Sequence, residues 1–115
     1  MLHLHQIAAV EFAVLARAAG VLTQPRLYVN GGDGGRISSL VYWSKENDDR
    51  SWRIVEADFG IEKTAPSNAL AVVVHWRVVD MTNDTKPDRK HMLCHEVWEG
   101  KIPAEFIKYA KEIEE

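Results

Sequence analysis

Residues 69–79 read ALAVVVHWRVV and residues 91–98 read HMLCHEVW, with a polar loop, Thr82 to Arg89, between them. Both segments are rich in β-branched and aromatic residues, which fit a pleated, half-buried surface. The pattern predicts two long antiparallel strands that form one hairpin. This hairpin fixes the fold class, and it brings three of the five histidines onto neighbouring strands.

The N-terminal segment, from Leu4 to Ala19, predicts an amphipathic helix that ends at Gly20. Its larger apolar residues gather on one broad face when they are placed at intervals of 100°. That face comprises Leu4, Ile7, Ala8, Val10, Val14, Leu15, Ala18 and Leu22. The opposite side is rich in alanine, which makes a thin helix that can lie close to a sheet.

The remaining segments predict three shorter strands and a final helix. The strands are Arg26 to Val29, Ile37 to Trp43 and Trp52 to Phe59, and the glycine-rich turn Asn30–Gly35 joins the first two. Pro103 marks the first turn of the C-terminal helix. The class is therefore α+β: an N-terminal helix packed on a five-stranded antiparallel meander with a C-terminal helix, in a single domain spanning residues 1–115. This element order resembles that of cystatin-like and NTF2-like domains.

Composition narrows the possible partners and location. The chain has 115 residues, 46% of them hydrophobic, and a formal net charge of -3, so it lacks the basic field that a nucleic-acid partner requires. The apolar N-terminal segment carries Glu11 and Arg17 and is too short to cross a membrane. Cys94 is the only cysteine, and we expect it to be a buried thiol in a reducing, cytoplasmic setting.

Glu11 is unusual because it falls near the centre of the predicted apolar face of the first helix. A carboxylate in such a place is costly unless it is paired or hydrogen-bonded. One interpretation is a structural ion pair with Arg53 or Arg77 on the sheet, or a helix that is less buried at this turn than the projection implies. The other is a functional carboxylate, acting as a general base or as an anchor for a ligand.

His75, His91 and His95 are the candidate polar site. Residues four apart on a strand are separated by about 13 Å, so His91 and His95 cannot share one ion, and we predict no metal and no cofactor. A register that pairs His75 with His95 would set the two rings side by side, where with Arg77 they could bind an anion or transfer protons.

The alternative for these histidines is a polar outer face of the sheet without a chemical role. Its buried counterpart would then consist of Leu70, Val72, Val74, Trp76, Val78, Met92, Cys94 and Trp98. No serine or cysteine lies in a nucleophile motif, so we predict no catalytic residue.

Four tryptophans on predicted strands, Trp43, Trp52, Trp76 and Trp98, exceed what one small core needs. We expect some of them, with Trp43 and Trp52 as candidates, at a dimer or partner surface. The leading hypothesis is a small acidic cytosolic protein-binding module, inhibitor-, immunity- or chaperone-like, non-enzymatic and homodimeric, which uses its sheet and its glycine-rich turn. The alternative is a small-molecule-binding protein or an enzyme, with a pocket between helix and sheet that uses Glu11 and His75 or His95.

Overall fold

The computed structural model describes residues 3–21, 26–30, 38–48, 50–81 and 87–114. The elements are α1 (Leu4–Ala18), β1 (Arg26–Asn30), β2 (Ser38–Glu46), β3 (Trp52–Thr64), β4 (Ala69–Met81), β5 (Pro87–Val97) and α2 (Ala104–Glu114). The predicted α+β class, with an N-terminal helix, an antiparallel sheet and a C-terminal helix, is confirmed. Neither of these two helices has the length and apolar character needed to cross a bilayer.

The sheet is built from antiparallel neighbours in chain order. β2, β3, β4 and β5 pair in succession, and β1 pairs with the free edge of β2. The predicted hairpin of residues 69–98 is confirmed, with β4 and β5 as its strands. Most of the glycine-rich turn, residues 31–37, and most of the hairpin loop, residues 82–86, lie outside the described residues.

The strands run further than the sequence predicts, and the extensions of β2 and β3 are the longest toward their C-terminal ends. β2 continues to Glu46, and β3 continues past Phe59 to Thr64. Gly60, which follows the predicted end of β3, is buried within the strand and pairs with both Ser38 and Val73. Glycine lacks a side chain to pack but keeps its backbone donor and acceptor, so Gly60 does not interrupt the ladder.

Both helices pack on one face of the sheet, and Phe12 lies at the centre of the contact. Phe12 is fully buried, and its ring centroid lies 5.5 Å from that of Phe59 and 5.8 Å from those of Trp76 and Phe106. Small residues of α1 surround it and allow the helix to approach the strands closely. They are Ala8, Ala9 and Ala16.

The predicted buried face of α1 is wrong for its large aliphatic residues, although Ala8, which belongs to it, is buried. Leu22 of that face lies outside the described residues. Leu4, Ile7, Val10 and Val14 are 65%, 47%, 48% and 63% exposed, and the alanine side of the helix faces the sheet instead. A helix that is apolar on both sides has no polar face to show which side turns outward, and close packing around Phe12 decides the orientation. Glu11, which shares the outward side, is therefore exposed rather than buried.

The tryptophans divide differently from the prediction. Trp43 and Trp76 are 5% and 0% exposed and belong to the core, and Trp98 packs against it. The predicted surface position of Trp43 is therefore wrong. Trp52 is 44% exposed, as the prediction requires.

The expected burial of Cys94 and Leu70 is also wrong, since both side chains are exposed. Cys94 pairs with the core residue Trp76 and so lies on the helix side of the sheet, but on the edge strand β5 its side chain stays exposed. Partial desolvation raises the pKa of its thiol, and the charges of Glu96 and Glu105 raise it further. The reactive thiolate is therefore disfavoured.

Candidate functional site

The helix-free side of the sheet, which we call the outer face, carries an apolar depression on β2 and β3. Side chains alternate between the two faces of a strand, so Tyr42 and Ile54 point outward where Trp43 and Val55 point into the core. The depression has a volume of about 380 Å³ and is lined by Leu40, Tyr42, Ser44, Trp52, Ile54 and Glu56. We call it the aromatic groove.

Polar side chains continue from the groove across the outer face of β3, β4 and β5. The strand register aligns five of them, together with the apolar Leu93, in two rows: Asp58–His75–His95 and Glu56–Arg77–Leu93. We call these six residues the polar patch. They line a shallow depression of about 290 Å³, and Glu56 also borders the aromatic groove.

The two imidazoles of the polar patch are stacked. The strands adopt the register that pairs His75 with His95, and the ring centroids lie 5.1 Å apart with an angle of 20° between the planes. His75 Nε2 lies 2.7 Å from Glu62 Oε2, and Arg77 donates a hydrogen bond of 3.4 Å to Glu56 Oε2. His75 and Arg77 therefore each have a carboxylate beside them, so neither offers a bare positive charge to an anion.

Asp58 adds an acceptor to the polar patch. Its Oδ1 atom is buried and has no hydrogen-bond partner among the described residues. A buried acceptor without a partner costs free energy, and a donor from a bound molecule would recover it. The patch as a whole therefore offers hydrogen-bonding groups of both kinds to a binding partner.

His91 does not join the other two histidines. A register shift between Val78 and Val79 interrupts the pairing of β5 at His91, which bonds through Nε2 to Asp80 Oδ2 at 2.8 Å on the helix side of the sheet. A bulge of this kind turns a side chain away from the face that simple alternation predicts. Among the described residues, no group of three or more His, Cys, Asp or Glu side chains could hold a metal ion.

Asp80 is the centre of a charged network that fastens α2 to the sheet. Arg53 donates to both carboxylate oxygens of Asp80, at 2.9 and 3.3 Å, and to Glu112 of α2 at 2.5 Å. Burial would raise the pKa of Asp80, but hydrogen bonds from Arg53 and His91 outweigh it and lower that pKa. The hydrogen bond to Asp80 raises the pKa of Arg53. Arg53 and His91 thus serve the fold.

Glu11 is exposed on α1, as the interpretation of a helix that is less buried at this turn predicts. It accepts a hydrogen bond of 3.0 Å from Trp98 Nε1, while Arg53 pairs with Asp80 and Glu112, and Arg77 with Glu56. The predicted ion pair with Arg53 or Arg77 is therefore wrong. Glu11 lies on the helix side of the sheet and His75 and His95 on the outer face, so these side chains do not converge on one cavity.

His5 is a buried polar residue that the sequence does not reveal, because its position near the start of the chain favours exposure to solvent for both His3 and His5. His5 is 3% exposed, and its Nδ1 lies 2.8 Å from Ser39 Oγ. Burial lowers the pKa of His5, the neighbouring His3 lowers it further, and Asp58 acts in the opposite direction. The contact joins α1 to β2, and the lowered pKa favours the neutral form of the imidazole.

His5 should make the protein less stable in mild acid. Because its pKa is lower in the folded chain than the ordinary 6.5, the unfolded chain binds more protons as the pH falls below that value, and the free energy of unfolding decreases. Urea unfolding would be measured at about pH 7.5 and about pH 5.5. The free energy of unfolding should decrease more between these two pH values for the wild type than for His5→Asn. Equal losses in the two proteins would contradict the assignment, because contributions of the other histidines cancel in this comparison.

No protein-family model matches the chain, and no similar protein was found among curated proteins or among solved structures. Fold and side-chain geometry are thus the observations that bear on function.

Proposed function

We propose that this chain is a small acidic protein-binding module, non-enzymatic and cytoplasmic, which acts as an inhibitor, an immunity-type protein or a chaperone. Its partner is another protein, and the outer face of the sheet is the surface that binds it. One observation carries the proposal: the aromatic groove and the polar patch lie side by side on a sheet face that neither helix covers.

The aromatic groove has the character of an interface centre. Trp52 is 44% exposed, and it lies beside Tyr42 and Ile54 on the same face. Aromatic rings bury a large area at low entropic cost, and tryptophan and tyrosine are enriched among the residues that dominate binding free energy. A side chain of the partner that fills the groove would exclude water from these rings.

The polar patch has the character of an interface rim. Arg77 and Glu56 of the patch form a partly exposed pair of opposite charges, and His75 contacts the neighbouring, partly exposed Glu62. Mixed charges at a rim contribute more to orientation and specificity than to affinity. Such a surface suits a protein partner, which presents hydrogen-bonding groups of both kinds.

The separation of Glu11 from His75 and His95 favours binding over catalysis, since the alternative pocket needs these groups together. We also retain, as part of this proposal, the five-stranded meander whose element order resembles that of cystatin-like and NTF2-like domains. An uncovered sheet face in such a meander is the natural place for a partner to dock.

Replacement of groove residues should weaken partner binding. The tagged wild-type chain would capture its partner from an extract of the native host, and titration of the purified partner would then give dissociation constants. We expect Trp52→Ser and Ile54→Lys each to raise the dissociation constant at least about tenfold, as truncation of central interface residues does. Leu70→Ser is the matched control, because Leu70 is 68% exposed but lies outside the groove, and it should leave the constant within about twofold.

Near-ultraviolet circular dichroism would verify that the variants keep the wild-type core. The proposal fails if the folded groove variants bind the partner as tightly as the wild type. It also fails if Leu70→Ser weakens binding as much as they do.

A further inference from the structure

The outward side of α1 is apolar, although no described residue covers most of its side-chain surface. Four aliphatic side chains form this surface, which we call the outward stripe: Leu4, Ile7, Val10 and Val14. The opposite side of the same helix packs on the sheet through Phe12 and alanines. A helix that is apolar all round is typical of a position between two layers, whereas α1 contacts one.

The outward stripe is large enough to form the centre of an interface. Residues three and four apart are neighbours on a helix surface, so the four side chains are contiguous. Their exposed fractions correspond to on the order of 400 Å² of apolar surface, similar to the largest patch on a typical monomer, which is often functional. A specific interface buries about 800 Å² on each partner. The stripe would supply roughly half of this area as an apolar core, and the residues on its flanks would supply the rest.

We propose that the outward stripe is a homodimer interface, in which α1 packs antiparallel against α1 of a second copy. The spacing of the stripe, with gaps of three, three and four residues, is nearly the same when read in reverse. An antiparallel pair therefore sets Leu4 against the partner's Val14 and Ile7 against the partner's Val10. Such self-complementarity is what a twofold interface requires.

Charged groups near the outward stripe are compatible with this contact. The carboxylate of Glu11 is drawn toward the protein body by Trp98 Nε1, which leaves the line from Ile7 to Val14 apolar. Arg17 is exposed near the C-terminal end of α1, beyond Val14, and stays at the rim of the pair. Both helices of the pair would then lie between the two sheets, so the outer faces remain accessible and dimer formation is independent of the proposed partner binding.

The mass of the protein in solution tests this interface. Light scattering from about 1 to 200 µM should show wild-type mass rising toward twice 13.0 kDa, while Ile7→Glu/Val14→Glu stays near 13.0 kDa. Leu70→Glu is the control, since Leu70 is equally exposed but lies outside the stripe, and it should behave as the wild type. A monomeric wild type at the highest concentration would overturn the proposal, as would a dimer that survives the double substitution with its fold intact.

Cysteine cross-linking identifies which surface forms the dimer. In a Cys94→Ser background, Val10→Cys places thiols close to the proposed twofold axis, and a short bis-maleimide should convert most of the protein to a covalent dimer. The wild type, whose only cysteine is exposed on the edge strand β5, should cross-link poorly. Efficient cross-linking through Cys94, with little through Val10→Cys, would overturn the proposal in favour of pairing between β5 edges.

Discussion

Phe12→Ala is expected to lower the free energy of unfolding by about 3–5 kcal/mol, which is the largest loss that we expect from any single substitution. The ring is fully buried and contacts Phe59, Trp76 and Phe106, which belong to three different elements. Its removal leaves a cavity where α1, the sheet and α2 meet, and the rigid neighbouring rings can close it only partly. Urea unfolding followed by circular dichroism measures the change.

Leu70→Ala is the matched control for this substitution. Leu70 is 68% exposed, so its truncation should change the free energy of unfolding by no more than about 0.5 kcal/mol. If Phe12→Ala cost less than about 1 kcal/mol, the aromatic cluster would not be the stabilising core that its packing indicates.

Arg53→Leu should be the second most damaging change, with a loss of about 2–3 kcal/mol at neutral pH. It removes both hydrogen bonds to Asp80, whose side chain is 14% exposed. It also removes the contact between Arg53 and Glu112, which joins α2 to the sheet. Breaking a fully buried pair costs about 3–5 kcal/mol, and partial exposure of Arg53 reduces that figure through solvent screening.

Two companion measurements separate the charge effect from packing. The double variant Arg53→Leu/Asp80→Leu should recover part of the loss, because it also removes the Asp80 carboxylate, which in Arg53→Leu keeps only His91 as a partner among the described residues. Arg77→Leu should cost less than about 1 kcal/mol, since the Arg77–Glu56 pair is more exposed and its atoms are 3.4 Å apart. Coupling between Arg53 and Asp80 would be rejected if the double variant lowered the free energy of unfolding by the sum of the losses measured for Arg53→Leu and Asp80→Leu alone.

Acid should remove the Asp80 contribution in a defined direction. The pKa of this carboxyl is lower in the folded chain than its ordinary value of 3.8, so the stabilisation is complete above that value and is lost as the pH falls through the lower, folded pKa. The difference between wild type and Arg53→Leu should therefore shrink in strong acid.

The strands are predictable because their signal is local. The valine-rich segment and the segment after it have the composition of paired strands, whereas the register that sets His75 opposite His95 does not follow from composition. The orientation of α1 is not predictable in this way. Leu4 and Val14 are larger than the alanines on the other side, and hydropathy alone favours burying the larger side chains, whereas the structure turns the helix so that Phe12 reaches the core.

The candidate site is predictable only where regular alternation holds. His75, Arg77 and His95 occupy the outer face as alternation requires, but the interruption at His91 moves that residue to the helix side. Such a bulge leaves no clear mark in the sequence. The contact between His5 and Ser39 joins residues 34 positions apart, so it too depends on tertiary packing.

The exposed edge of β5 has a consequence for solubility. An edge strand of eleven residues presents unpaired backbone donors and acceptors, and Leu93 and Val97 add exposed apolar groups. The interruption at His91 and the charge of Glu96 make that edge irregular and repulsive to a like strand. These features disfavour the repeated edge-to-edge pairing of strands that forms fibres, and the edge of β5 stays accessible to solvent.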